Sequence, residues 1–98
     1  MAVKILIKRI LKEGTLKRAS ELLIRARSAA MEEPGYISSE TLRGCDNPNE
    51  IVVISMWERK IDWENFREKP ARREILDEFA EILESPPMYA SYNLGLYS

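Results

Sequence analysis

Residues Ala2 to Arg9 alternate. Val3, Ile5 and Ile7 fall on one side and Lys4, Leu6 and Lys8 on the other, the two-residue period of a β-strand. Gly14-Thr15 interrupts this run and offers a helix cap. Beyond it, Leu16, Ala19, Leu23, Ala26 and Ala30 recur at helical spacing, with Lys17, Arg18, Glu21, Arg25 and Arg27 around them. Pro34-Gly35 cannot continue a helix, so this one is predicted to fade at Glu32-Glu33. A more polar strand is expected from Tyr36 to Gly44, then a loop of turn formers, Cys45-Asp46-Asn47-Pro48-Asn49. Ile51 to Glu58 is apolar on both faces: Ile51, Val53, Ser55 and Trp57 on one, Val52, Ile54 and Met56 with Glu58 on the other. A strand of that kind belongs in the centre of a sheet. Asp62 is the expected cap of a short helix carrying Trp63 and Phe66, and Pro70 breaks it from the next segment. Ala71 to Glu84 forms an amphipathic helix with Ile75, Leu76, Phe79, Ile82 and Leu83 on one stripe. Ser85-Pro86-Pro87 stops it, and Met88 to Tyr97 is predicted to close the chain as a strand.

Strand, helix, strand, strand, broken helix, strand is a doubled split β-α-β motif. It predicts an α+β, ferredoxin-like βαββαβ domain with one four-stranded antiparallel sheet and its helices on one face. Right-handed crossovers put the first and third strands in the middle. One layer of helices leaves the other sheet face, with Val52, Ile54, Met56 and part of the last strand, uncovered. Apolar surface of that extent marks an interface, so a homodimer packed sheet to sheet is expected. The alternative is a monomer in which the long side chains of Lys4 and Lys8 shield the face.

Composition narrows the function. The chain has 98 residues, 45% apolar and 32% charged, with 15 basic and 16 acidic side chains and a net charge of −1. That fits one domain, residues 1–98, and is too apolar and too neutral for a disordered chain. No apolar run reaches the length of a membrane span, and Met1-Ala2-Val3-Lys4-Ile5 does not resemble a secretory leader. The single cysteine, Cys45, fits a reducing compartment and a cytoplasmic location. With no histidine in the chain, histidine-based triads and the usual neutral-pH base are excluded. Without positive charge or a basic-aromatic strand pattern, nucleic acid is not an expected partner.

Several segments resemble one family. Glu33-Pro34-Gly35-Tyr36-Ile37-Ser38 is similar to the Pro-Gly-aromatic lead-in to the second strand of the antibiotic biosynthesis monooxygenase (ABM) family. Asp46-Asn47-Pro48-Asn49, the strand Ile51 to Glu58 with Trp57 near its end, and Asp62-Trp63-Glu64-Asn65-Phe66 resemble its hairpin, its third strand and its next helix. The resemblance spans the chain in length and element order. It implies a dimeric α+β barrel of two ferredoxin-like protomers, and oxidation of polyphenols or quinols without a cofactor, or degradation of haem. The haem degraders of the family pair a tryptophan with a histidine and with an asparagine of the first strand. This chain has neither: its second helical region reads Pro70-Ala71-Arg72-Arg73-Glu74-Ile75 and its first strand Val3-Lys4-Ile5-Leu6-Ile7-Lys8. The quinone-forming members place an asparagine four residues before the matching tryptophan, where Val53 stands here.

The expected reaction is therefore oxidation of an aromatic or quinol-like substrate by O2, with no cofactor and no metal. The alternative is a non-catalytic module on the same fold that binds a small ligand or haem. Candidate walls for a flat ring are Trp57, Trp63, Phe66 and Tyr92, with Ser55, Tyr36 and Asn93 as polar partners and Trp57 as the candidate catalytic residue. Simpler readings compete. Trp57 also suits core packing, Trp63 and Phe66 a packing pair one turn apart, and Tyr89, Tyr92 and Tyr97 sheet packing. Lys8-Arg9 is expected to be solvated charge. Arg72 and Arg73 can meet an anionic ligand, or pair at the surface with Glu74, Asp77 and Glu78.

Overall fold

The computed structural model describes residues 1–96. Its elements are β1 (Val3–Ile10), α1 (Leu16–Met31), β2 (Tyr36–Arg43), β3 (Glu50–Trp57), α2 (Lys60–Arg67), α3 (Pro70–Ala80) and β4 (Met88–Asn93). The strands form one four-stranded sheet in the order β2-β3-β1-β4, and every pairing is antiparallel. The first and third strands are central, as the two apolar faces of Ile51 to Glu58 required. The domain is α+β and ferredoxin-like.

Strand parity decides what lies under the helices. Val3, Ile5, Ile7 and Arg9 of β1 face the helix layer, with Trp57, Ser55, Val53 and Ile51 opposite them on β3. The intervening residues form the open face: Lys4, Leu6 and Lys8 beside Met56, Ile54 and Val52 on one side and beside Tyr92, Ala90 and Met88 on the other. On this face Met88 and Tyr92 are exposed.

The helix-facing core falls into two clusters. One joins Leu11, Leu22, Ile51, Ile75, Phe79, Ile82 and Leu83. The other joins Val3, Ile5, Ile7, Ala30, Trp57, Trp63 and Phe66. Along β1 the alternation runs Val3, Ile5, Ile7, Arg9, Leu11, so Arg9 stands where the two clusters meet.

Three boundaries differ from the periodicity. The helix predicted to reach Glu84 ends at Ala80. Beyond it Lys12 N–H donates to the Ile82 carbonyl, Glu84 N–H donates to the Ile10 carbonyl, and Leu83 bridges Leu11. Pairing with the end of β1 thus replaces a last helical turn, while Ile82 and Leu83 stay buried. The last strand stops at Asn93, just before Gly95 at φ +74°, and Tyr97 lies outside the described residues. Asp62 is not the cap of α2. That position is Arg59, and Asp62 sits in the first turn, where its carboxylate accepts from the Arg59 guanidinium at 3.2 Å.

The Pro34-Gly35 turn is built for close approach. Gly35 has φ +84°, and a Cβ there would collide with the Asp62 carboxylate. Its carbonyl accepts from Glu58 N–H at 2.7 Å. The turn thereby locks the start of β2 onto the end of β3 and the first turn of α2, next to Trp57.

Candidate functional site

A cavity of about 70 Å³ opens between the sheet and the helices, in the middle of the helix-covered face. One wall is aromatic. Trp57, at the end of β3, has no exposed surface. Tyr36 meets it edge-on at 5.5 Å between ring centres, Phe66 is tilted against it at 5.5 Å and Trp63 at 6.0 Å. Trp63 and Phe66 are three apart on α2, so one helical turn presents both rings to the sheet. They are 6.1 Å from one another. The bulge between Tyr36 and Ser38 shifts the phase of β2, placing Tyr36, Ser39 and Thr41 along the same lining.

The polar groups of this wall satisfy one another. Trp57 Nε1 donates to Ser55 Oγ at 3.0 Å, which fixes the indole ring from within its own strand. Tyr36 and Ser39 share a hydroxyl hydrogen bond of 2.8 Å. Glu40 reaches the rim, but it pairs with Ile54, an open-face residue of β3.

The floor is cationic. Arg9 of β1 and Arg72 of α3 both line the cavity and are 2% and 3% exposed. The Arg9 guanidinium carbon lies 4.1 Å from the centre of the Phe79 ring. That of Arg72 lies 5.6 Å from the centres of both Trp63 and Phe66. Among the described residues, Arg9 Nε and Nη2 and Arg72 Nε have no hydrogen-bond partner. Burial, and then the charge of Arg72, lowers the Arg9 pKa to about 10, well below the usual guanidinium range, with the nearby Tyr89 hydroxyl opposing the shift. Burial also lowers Arg72, which Tyr89 opposes and Arg67 reinforces.

Of the residues expected from the sequence, Trp57, Trp63, Phe66, Ser55 and Tyr36 come together in this lining. Tyr92 and Asn93 do not. Tyr92 pairs with Lys4 on the open face of the sheet and is 58% exposed. Asn93 is exposed at the last position of β4. The tyrosine of β4 that meets the aromatic group is Tyr89, 6.4 Å from Trp63, with the Arg67 guanidinium carbon 4.9 Å from its ring centre. Arg9 and Arg72 correct the expectation of solvated or surface-paired charge. Arg73 does behave that way, pairing with Glu68 at the surface. Cys45 is free and exposed. Among the described residues, no group of histidine, cysteine or acidic side chains is arranged to hold a metal, and no helix is long and apolar enough to cross a membrane.

The family model for antibiotic biosynthesis monooxygenases matches residues 2–78. Among solved structures, a Nitrosomonas europaea protein named for the same family superposes with a TM-score of 0.88 at 19% identity, over 98% of this chain and 91% of its own. SnoaB, a cofactor-independent oxygenase from Streptomyces nogalater, superposes with a TM-score of 0.86 at 14% identity, over 97% and 94% of the two chains. Rv0793 from Mycobacterium tuberculosis gives 0.85 at 17% identity over the full length of both. At these identities the likeness is one of fold. No curated protein sequence matches the chain significantly.

Proposed function

This chain belongs to the antibiotic biosynthesis monooxygenase family, and we propose that it is a cofactor-independent monooxygenase that oxidises a small aromatic quinol with O2 in the cavity beside Trp57. The observation that carries this reading is the aromatic wall: Trp57, Tyr36, Trp63 and Phe66 surround a space open to solvent on the helix-covered face of the sheet. Flat rings stack on such surfaces.

The chemistry asks little of the protein. A deprotonated quinol is electron-rich enough to pass one electron to O2. The resulting semiquinone and superoxide combine at a ring carbon as a hydroperoxide. Loss of water then leaves a hydroxyquinone, so one quinol and one O2 give one hydroxyquinone and one H2O. The step that needs help is loss of the first proton. No histidine exists in the chain. The buried guanidiniums favour the substrate's anion instead, because positive charge nearby lowers the pKa of a phenol. The ring walls orient the substrate and exclude bulk water from the anion.

The same reading includes a homodimer. The open face carries Leu6, Val52, Ile54, Met56, Ala90, Met88 and Tyr92 with no second layer of the described residues over it, and the partner proposed for this apolar surface is a second copy of the chain. Sedimentation velocity at micromolar concentration is expected to show twice the 11.4 kDa chain mass, and Ile54→Glu is expected to give the monomer. A wild-type monomer overturns this part.

Oxygen consumption with a panel of single-ring hydroquinones tests the activity. One O2 consumed per quinol, and its loss in a folded Trp57→Phe variant, is the expected result. No oxygen uptake with any quinol, alongside ligand-induced stabilisation, would leave a binding module in its place.

A further inference from the structure

We infer that Arg9 and Arg72 form a carboxylate-binding floor in the aromatic cavity, so that the ligand is a single aromatic ring bearing a carboxylate. The inference deepens the oxidative reading by naming its substrate class, an acidic quinol, but the carboxylate site itself does not depend on oxidation.

Two arginines occupy core positions of the fold. Arg9 continues the Val3, Ile5, Ile7 face of β1, and Arg72 is one of the buried residues of α3 with Ile75 and Phe79. Both line one cavity, and neither takes part in any of the eight ion pairs of the described residues. Three of their buried nitrogens have no partner among the described residues: Arg9 Nε, Arg9 Nη2 and Arg72 Nε. The charge of Arg72 acts against Arg9 and that of Arg67 against Arg72, while Tyr89 opposes both shifts and hydrogen-bonds Arg72, so that no carboxylate is among the groups that act on either. Buried charges are ordinarily paired, and two like charges without a counter-ion disfavour the fold that holds them. Aliphatic side chains at both positions would complete the core without that penalty. A ligand that brings negative charge supplies what is missing.

The identity of that charge follows from shape. A guanidinium fork matches the two oxygens of a carboxylate in one plane. The rings of Trp63 and Phe66 flank Arg72, and with Trp57 they give an adjoining apolar surface for the ring that bears it. A neutral quinol would leave both cations uncompensated. With a permanent carboxylate against one guanidinium, the other remains for the phenolate that forms on deprotonation. The volume limits the ring. About 70 Å³ is smaller than the ~150 Å³ engineered cavity that takes up benzene. Within the cavity itself there is room for at most one ring, seated partly in the mouth.

Anaerobic calorimetric titration of the full chain tests this with three probes: 2,5-dihydroxybenzoate, its neutral isostere 2,5-dihydroxybenzamide, and sodium sulfate. The benzoate is expected to bind at least tenfold more tightly than either of the others. In Arg9→Met and Arg72→Met the preference over the amide is expected to fall below threefold. Equal affinity for benzoate and amide in the wild type overturns the inference, whether or not the variants fold. Sulfate binding as tight as the benzoate overturns the aromatic part, because it makes the floor a general anion site. Oxygen uptake is measured separately on the same benzoate. Tight, arginine-dependent binding without oxygen uptake removes the oxidative reading and leaves the carboxylate site standing.

Discussion

Replacing Arg9 with methionine is expected to stabilise the ligand-free protein. Arg9 is 2% exposed, and its Nε and Nη2 have no partner among the described residues. Its pKa falls to about 10, well below the usual guanidinium range, which at ~1.4 kcal/mol per pH unit corresponds to a penalty of about 3 kcal/mol on the charged form. The contact with Phe79 at 4.1 Å offsets part of it, by about 1–2 kcal/mol for a desolvated cation on an aromatic ring. The aliphatic stem of Arg9 is already buried, and methionine retains that packing. The net gain is therefore about 1–2 kcal/mol, equivalent to about 4–16 °C in Tm for a domain of this size. Buried ion groups replaced by apolar ones of similar volume behave this way elsewhere.

The assay is urea and thermal unfolding at fixed protein concentration, in a buffer without carboxylate, phosphate or sulfate. The pH dependence supplies a second readout. Because the folded pKa lies below the unfolded one, the unfolded chain binds more protons above about pH 10. Stability of the parent therefore rises with pH across that window relative to Arg9→Met, and the advantage of the variant shrinks. A variant that loses 1 kcal/mol or more at pH 7, with unchanged cooperativity, would refute the reasoning: the guanidinium would then be satisfied within the protein, and the case for an external anion would weaken with it.

Other substitutions probe the frame around the cavity. Ser55→Ala removes the acceptor of the buried Trp57 Nε1 and is expected to cost about 1–3 kcal/mol in urea unfolding, the penalty of an unsatisfied donor. Gly35→Ala places a methyl group against Asp62 at φ +84° and is expected to cost about 1–3 kcal/mol, with part recovered when Asp62→Ala is added. Glu78 is held below its ordinary pKa of 4.5 by hydrogen bonds from Arg18 and Arg25, at 2.6 and 2.7 Å. A depressed carboxyl stabilises the fold above its unfolded pKa and loses that contribution as pH falls through its folded one. Glu78→Gln is therefore expected to be less stable than the parent at pH 7, with the gap closing on acidification below pH 4.5.

How much of this was legible in the chain depends on whether a residue's role is set by its own element or by several together. The doubled apolar pattern of Ile51 to Glu58 identified the central strand, because burial on two faces is written in one segment. Trp57, Trp63 and Phe66 could be grouped for a similar reason: one strand end and one helical turn are adjacent in sequence. The four residues from Glu81 to Glu84 kept a helical period but left the helix, because their backbone partners on β1 lie about seventy positions away. Tyr92 and Tyr89 are equally good strand formers, and only the register with β1 sends one to the open face and the other to the helices. Arg9 and Arg72 are the instructive pair. Each stands in phase with apolar neighbours, Arg9 two residues after Ile7 and Arg72 three before Ile75. A single charge in phase on one element is ordinarily a side chain that reaches solvent at the end of a strand or helix. What separates a functional cation from that outcome is a second one, in phase on a different element and converging on the same space, and convergence is a property of the fold. Arg9 is in phase with Ile7, yet in the sequence Lys8-Arg9 reads as solvated charge. Only the crossing of α3 over β1 shows that it meets another guanidinium there, and that no carboxylate of the described residues pairs with either.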